Sequence, residues 1–312
     1  MVQLMIGIFL GLISFSTVSL ASSPPTILAS IKPLELIVGA LNKPLLQQDI
    51  HLEVSTLLPA GSTPHDYVLK PSDIVRVLQA DLVIWMGPDV EPYLASVIAK
   101  ADQDKVLNIS QLEGIKRLPF RALLENGDEH DDDKHPDHHD MLTFDPHLWW
   151  SVDNAEVIAT QVLTILGVAG NGSGAKKPET DKWAIVKNVM QPIRALLTSK
   201  KALATKQQPS FIIFHDGLQY LESDLGTVSV ARVALDDDHR PGIKTLLALK
   251  QKVKENRVVC VVTELNTNVA IIRKIETATP LRRIVIDTLG WGRESYQDML
   301  QQAYDEILSC QS

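Results

Sequence analysis

Three histidines in this chain share a local context that suits a metal ion. His65 lies within the stretch LLPAGSTPHDYVLKPSD of residues 57–73, between turn-forming prolines and glycines. His147 follows an Asp-Pro pair, and His215 directly follows the apolar run Phe211–Phe214. Zinc takes about four nitrogen, sulfur or oxygen ligands, and histidine is a common nitrogen donor. One such histidine is most often an ordinary loop residue, but three in the same context favour a shared zinc site.

The elements around these histidines should bring them to one edge of a sheet. The apolar strand His51–Leu58 runs into the loop of His65, where proline and glycine stop regular structure. A further apolar run, Arg283–Ile286, ends in Asp287. Ligands of open α/β sheets bind at the carboxyl ends of the strands. We therefore predict that the three histidines and Asp287 lie at or just after strand ends.

Apolar runs of strand length alternate with helical patterns along most of the chain. This alternation is typical of βαβ units and predicts an α/β fold with mostly parallel sheets and flanking helices. The predicted strands are Thr26–Ile31, His51–Leu58, Asp81–Met86, Lys105–Ile109, Ser210–Phe214, Val228–Val233, Val258–Val262 and Arg283–Ile286.

The strands fall into two groups of four, separated by one long helical stretch. We predict an N-terminal lobe over residues 22–167, a linking helix over 176–206 and a C-terminal lobe over 207–312. The metal site then lies in the cleft between the two lobes, where strand ends of both meet.

An acidic, histidine-rich stretch interrupts the N-terminal lobe at residues 125–140, which read ENGDEHDDDKHPDHHD. It has almost no apolar side chain to bury, so we expect a surface loop. Clustered histidines and carboxylates predict weak accessory metal binding; the alternative is a solvated acidic loop with incidental histidines. Its histidines are His130, His135, His138 and His139.

The first 31 residues contain no charged side chain. The apolar run and the small residues that follow predict a signal peptide over residues 1–21, cleaved after about Ala21, although no basic residue lies near Met1. An uncleaved membrane anchor is the alternative, but the run is short for a span of about 20 residues. No other stretch is apolar enough to cross a membrane.

The chain has two cysteines, Cys260 and Cys310, and a formal net charge of −8. In an exported protein an even cysteine count favours a disulfide; the alternative is a buried free thiol at Cys260 and a tail residue at Cys310. Acidic net charge disfavours nucleic-acid binding.

Together these stretches resemble one family: the periplasmic zinc-binding proteins of high-affinity zinc ABC importers, the ZnuA-like branch of a cluster of metal receptors. The resemblance covers most of the chain after the leader. One departure is that the family's frequent Glu-Pro-Gln-Phe is here Glu264-Leu265-Asn266-Thr267. The matching stretches are LLPAGSTPHDYVLKPSD, ADLVIWMGPDVEPYL, the acidic histidine-rich stretch, FDPHLWWS, FIIFHDGLQYLE and DTLGWGRESY.

The resemblance implies two pseudo-symmetric lobes joined by a rigid helix, with Zn²⁺ between them. His65, His147 and His215 match the family's histidine ligands, and Asp287 matches an aspartate that binds metal in the manganese branch. The cysteine pair looks like the family's disulfide.

The resemblance also implies a monomeric, non-enzymatic receptor in the periplasm of a Gram-negative type of cell, which delivers zinc to an ABC permease and its ATPase. Manganese and iron receptors of the same family are the main alternative, but three imidazoles favour Zn²⁺ over Mn²⁺. A zinc hydrolase also uses three histidines and an open position, yet no hydrolase motif is present. A periplasmic zinc buffer is the last alternative.

Asp66, Asp145 and Asp216 are candidate acceptors that orient the imidazoles.

Overall fold

The structure is a computed structural model. It describes residues 23–64, 67–121, 143–167, 180–234, 242–265, 267, 269–277 and 279–311. The predicted signal peptide, His65, Asp66 and the acidic histidine-rich stretch therefore lie outside the described residues.

The N-terminal lobe is built on four parallel strands: β1 (Thr26–Ala29), β2 (Glu53–Thr56), β3 (Leu82–Trp85) and β4 (Val106–Asn108). Their order is β2-β1-β3-β4, and every pair is parallel. All four residues of β3 are buried, as expected for a strand covered on both faces. Its helices are α1 (Lys32–Gly39), α2 (Asn42–Leu46), α3 (Pro71–Gln79) and α4 (Pro92–Ile98).

The C-terminal lobe repeats this arrangement with β5 (Phe211–His215), β6 (Ala231–Ala234), β7 (Cys260–Thr263) and β8 (Arg282–Val285). The strand order is β6-β5-β7-β8, and every pair is parallel. Both sheets therefore have the same topology, in which the second strand along the chain lies at one edge, followed by the first, third and fourth. The predicted α/β fold with two mostly parallel sheets is confirmed. Its helices are α7 (Gln219–Leu225), α8 (Ile243–Glu255), α9 (Val269–Glu276) and α10 (Tyr296–Leu308).

Two long helices lie between the sheets, α5 (Val152–Ile165) and α6 (Thr180–Gln207). The linking helix α6 has 28 residues, with Pro192 inside it, and packs against α5, α7 and α10. One buried cluster contains Leu34 of the first lobe, Val186 of α6 and Phe211 of the second lobe. The helices therefore join both lobes through a continuous core.

The predicted disulfide is present. Cys260 begins β7, Cys310 follows α10, and their Cα atoms are 5.6 Å apart, within the usual range for a disulfide. The free-thiol alternative was wrong. Among the described residues no helix is both long and apolar enough to cross a membrane.

A fully buried carboxylate, Glu91, precedes α4. It accepts hydrogen bonds from the Met86 amide, 2.8 Å from Oε2, and from the Tyr93 hydroxyl, 3.0 Å from Oε1. Burial outweighs these bonds and raises the pKa of Glu91 from 4.5 to about 7. Ionisation is thus harder in the folded than in the unfolded chain, so stability falls as the pH rises from about 4.5 to about 7.

Glu91→Gln, which imitates the protonated acid, should remove the free-energy cost of keeping a buried ionised carboxylate. The free energy of unfolding should rise by up to about 3 kcal/mol at pH 8 and change little near pH 4.5. Urea unfolding of the metal-free protein at both pH values measures the difference. An equal effect at the two pH values would contradict the proposed ionisation.

Candidate metal centre

His147 lies in a loop, at the start of the 3₁₀ turn Leu148–Trp150. Its Nδ1 is 2.7 Å from Oδ1 of Asp145, and the same oxygen accepts the His147 amide at 2.9 Å. Both residues are buried. The expectation that His147 follows a strand was wrong, but Asp145 is the imidazole partner that the sequence suggested.

His215 is the last residue of β5, as predicted. Its Nδ1 is 2.7 Å from Oε1 of Glu264, whose Oε2 accepts the Thr288 hydroxyl at 2.8 Å. The expected partner, Asp216, instead pairs with Arg121. Glu264 directly follows β7, the strand beside β5. Its position after a strand was therefore the signal that could have found it.

The two histidines are neighbours: their ring centroids are 5.0 Å apart. Burial alone would raise the pKa of Glu264. The charge of His215 and its hydrogen bond to Glu264 outweigh burial and, together with the charge of His147, lower this pKa to about 2. An ionised carboxylate beside Nδ1 keeps the imidazole proton on that nitrogen and leaves the lone pair of Nε2 available. Asp145 lies at the same distance from Nδ1 of His147, 2.7 Å, so the hydrogen bond likewise leaves Nε2 of that ring available.

The segment around His147 is held by side chains of the C-terminal lobe. The hydroxyl of Tyr220 donates to the carbonyl of Asp145 at 2.9 Å, and that of Tyr296 to the carbonyl of Trp149 at 2.7 Å. The indole of Trp149 donates to the carbonyl of Thr288 at 3.1 Å. His147 and His215 are therefore fixed to a common body.

The segment at residues 115–121 is held to the same lobe. The Leu118 amide donates to the Tyr220 hydroxyl at 2.8 Å, and Lys116 Nζ donates to Ser223 Oγ at 2.9 Å. Both bonds lead to α7, which follows His215 in the chain. The chain thus approaches and leaves the acidic histidine-rich stretch along the C-terminal lobe.

Gly217 borders the two imidazoles. A Cβ atom at this position would lie 3.2 Å from Nε2 of His147 and 3.4 Å from Oε1 of Glu264. The missing side chain of Gly217 therefore leaves space beside Nε2 of His147.

Gly217→Ala should weaken zinc binding about 10-fold, the scale of changes to groups that surround metal ligands. Gly217 does not have a positive φ, so alanine should not strain the backbone. A chelator-competition titration measures the affinity. Gly242→Ala is the matched control, since its Cβ would meet no atom of the described residues within 4 Å. Equal affinities of the two variants would contradict the role of this space.

Asp287 lies two residues after β8 and is buried. Its Oδ2 accepts the Gly292 amide at 2.8 Å, whereas its Oδ1 is buried and has no hydrogen-bond partner among the described residues. A buried oxygen without a partner is costly unless a ligand satisfies it.

The described ranges contain no group of three or more His, Cys, Asp or Glu side chains placed to hold one ion. His147 and His215 lie side by side, and His65, the third predicted ligand, lies outside those ranges. Asp287 remains a predicted fourth ligand. The accessory histidines His130, His135, His138 and His139 also lie outside the described residues.

Solved structures of two similar proteins share the fold. A crystal structure of ZnuA matches with a TM-score of 0.70 and 19% identity, covering 93% of this chain and all of that one. A Cd-bound periplasmic metal binding protein from Candidatus Liberibacter asiaticus matches with a TM-score of 0.68 and 17% identity, covering 91% and 98%.

Curated relatives match over nearly their whole length. The high-affinity zinc uptake system protein ZnuA of Yersinia pestis is 27% identical, covering 91% of this chain and 90% of the relative. The protein of the same name from Haemophilus ducreyi is 29% identical, covering 91% and 92%. Residues 27–310 match the family described as the periplasmic component A of zinc-uptake complexes. The chain therefore belongs to this ZnuA family of solute-binding receptors.

Proposed function

We propose that His65, His147 and His215 bind one Zn²⁺ ion through their imidazoles, with Asp287 as the fourth ligand. The protein captures this ion outside the cytoplasm and delivers it to the permease of an ABC importer, which its ATPase drives. The observation that supports the proposal most is the pair His147 and His215, each oriented at Nδ1 by a carboxylate.

The donor set supports zinc over the other metals of related receptors. Manganese prefers carboxylate and other oxygen donors, whereas imidazole suits zinc. Related solved structures are described as Mn-bound and Cd-bound, so the fold alone does not select the metal. We place this function in the periplasm and assign the protein no catalytic residue.

Growth under zinc limitation tests the proposal. A strain that lacks the protein should grow poorly in chelated medium, and added zinc should restore growth. The wild-type gene should also restore growth, whereas a His147→Ala/His215→Ala variant expressed at the same level should not. Rescue by manganese alone would favour the manganese receptor. Normal growth of the deletion strain with intact zinc uptake would indicate a buffer instead.

Deletion of residues 127–140 should leave the tight site in place. The deleted histidines, His130, His135, His138 and His139, are predicted to bind additional zinc weakly, because a loop loses entropy on ordering. Calorimetry should show one tight site in both proteins and the weak sites only in the full chain. Loss of the tight site would make a histidine of this stretch a primary ligand.

A further inference from the structure

Arg121 connects the segment before the acidic histidine-rich stretch to the turn that follows His215. Its Nε lies 3.1 Å from Oδ2 of Asp216, and a second guanidinium nitrogen contacts Oδ1 of the same carboxylate. The third nitrogen contacts Oε2 of Glu222. Only the planar guanidinium fork offers such a two-point contact together with a third bond.

These charges are largely withdrawn from solvent. The exposed fractions of the side chains are 17% for Arg121, 9% for Asp216 and 1% for Glu222. Glu222 also accepts the Ser229 amide at 2.7 Å, and Arg232 Nε lies 3.8 Å from Oδ2 of Asp216. Removing one partner of a buried pair leaves an uncompensated charge, so the surrounding groups must rearrange.

The rearrangement would reach His215 directly. The Gly217 amide donates to the carbonyl of His215 at 2.8 Å, which closes a tight turn around Asp216. Glu264 therefore holds the ring of His215, and Arg121 holds the turn that follows it through Asp216. Metal ligands need to be placed to within about 0.5 Å.

We propose that Arg121 is a positioning residue of the metal centre, which fixes His215 beside His147 by holding Asp216 and Glu222. This inference rests on the proposed function, since it assumes that both histidines bind the ion.

Arg121→Lys is the decisive variant, because it keeps the positive charge and removes the fork. It should raise the zinc dissociation constant about 10-fold, and Arg121→Gln should raise it at least as much. The absorption bands of bound Co²⁺, which depend on ligand geometry, should shift in both variants. Asp216→Asn, which removes the carboxylate that Arg121 contacts, should cause the same loss of zinc affinity and the same shift of the cobalt bands. Arg194→Lys is the control and should leave zinc affinity unchanged, because Arg194 also bridges two carboxylates, those of Glu156 and Asp153, but contacts no predicted ligand.

Thermal unfolding of each metal-free variant shows whether it is folded. Folded Arg121→Lys and Asp216→Asn proteins with wild-type zinc affinity and cobalt spectra would overturn the inference. If Arg121→Gln does not fold, the other two variants decide. If the wild-type protein binds neither Zn²⁺ nor Co²⁺ tightly, the proposed function fails, and this inference fails with it. If the wild type binds zinc tightly and the folded variants bind it with the same affinity, the role of Arg121 is overturned while the proposed function stands.

Discussion

Replacing His215 by alanine is expected to weaken zinc binding by at least about 10-fold, and we expect the same of His147. Each substitution removes one imidazole nitrogen from the proposed zinc site. In the His215→Ala protein the carboxylate of Glu264 also loses the partner that lies 2.7 Å away. A chelator-competition titration at fixed pH measures the loss.

His51→Ala is the matched control, because His51 is exposed and precedes β2. Lowering the pH should also weaken wild-type binding, since a protonated imidazole cannot bind the ion. The His215→Ala protein should show a shallower pH dependence, because one fewer imidazole competes for protons. Unchanged zinc affinity in the His215→Ala protein would show that His215 is not a ligand.

Breaking the disulfide between Cys260 and Cys310 is expected to lower the free energy of unfolding by about 4 kcal/mol. The two cysteines are 50 residues apart, and closing a loop of this length in the unfolded chain has about that entropic cost. Urea unfolding of the oxidised and reduced proteins measures the difference through the transition midpoint.

The double variant Cys260→Ser/Cys310→Ser distinguishes the effect of losing the disulfide from any other effect of the reductant on stability. Its midpoint should match that of the reduced protein and should not respond to reductant. Zinc affinity without denaturant should stay close to that of the wild type, since neither cysteine is a predicted ligand. A reduced protein as stable as the oxidised one would show that this crosslink contributes nothing to stability.

The sequence was most informative about the strands. Parallel strands buried on both faces appear as short apolar runs such as Leu82–Trp85, so the eight strands in the described part of the chain were predicted to within a few residues. The helix Asn42–Leu46 was missed because five residues are too few to show a helical period.

The metal centre was less predictable in its supporting contacts. Asp145 acts on a histidine two residues away, so local sequence was enough to suggest it. Glu264 is 49 residues from His215 and reaches it because β7 lies beside β5. Sequence adjacency suggested Asp216 instead, but the guanidinium of Arg121 takes that carboxylate. The order of strands in a sheet decides such pairs, and one sequence does not specify that order.

The hydrogen bonds that Tyr220, Tyr296 and Ser223 form with the earlier part of the chain have a consequence for chimaeras made between relatives. They attach residues 115–121 and 143–151, which precede the linking helix, to the lobe that follows it. A chimaera that exchanges the C-terminal lobe at the start of α6 would separate these segments from the side chains that hold them. The unit that can be transplanted intact is therefore discontinuous in the gene, and it includes both segments as well as the residues after the linking helix.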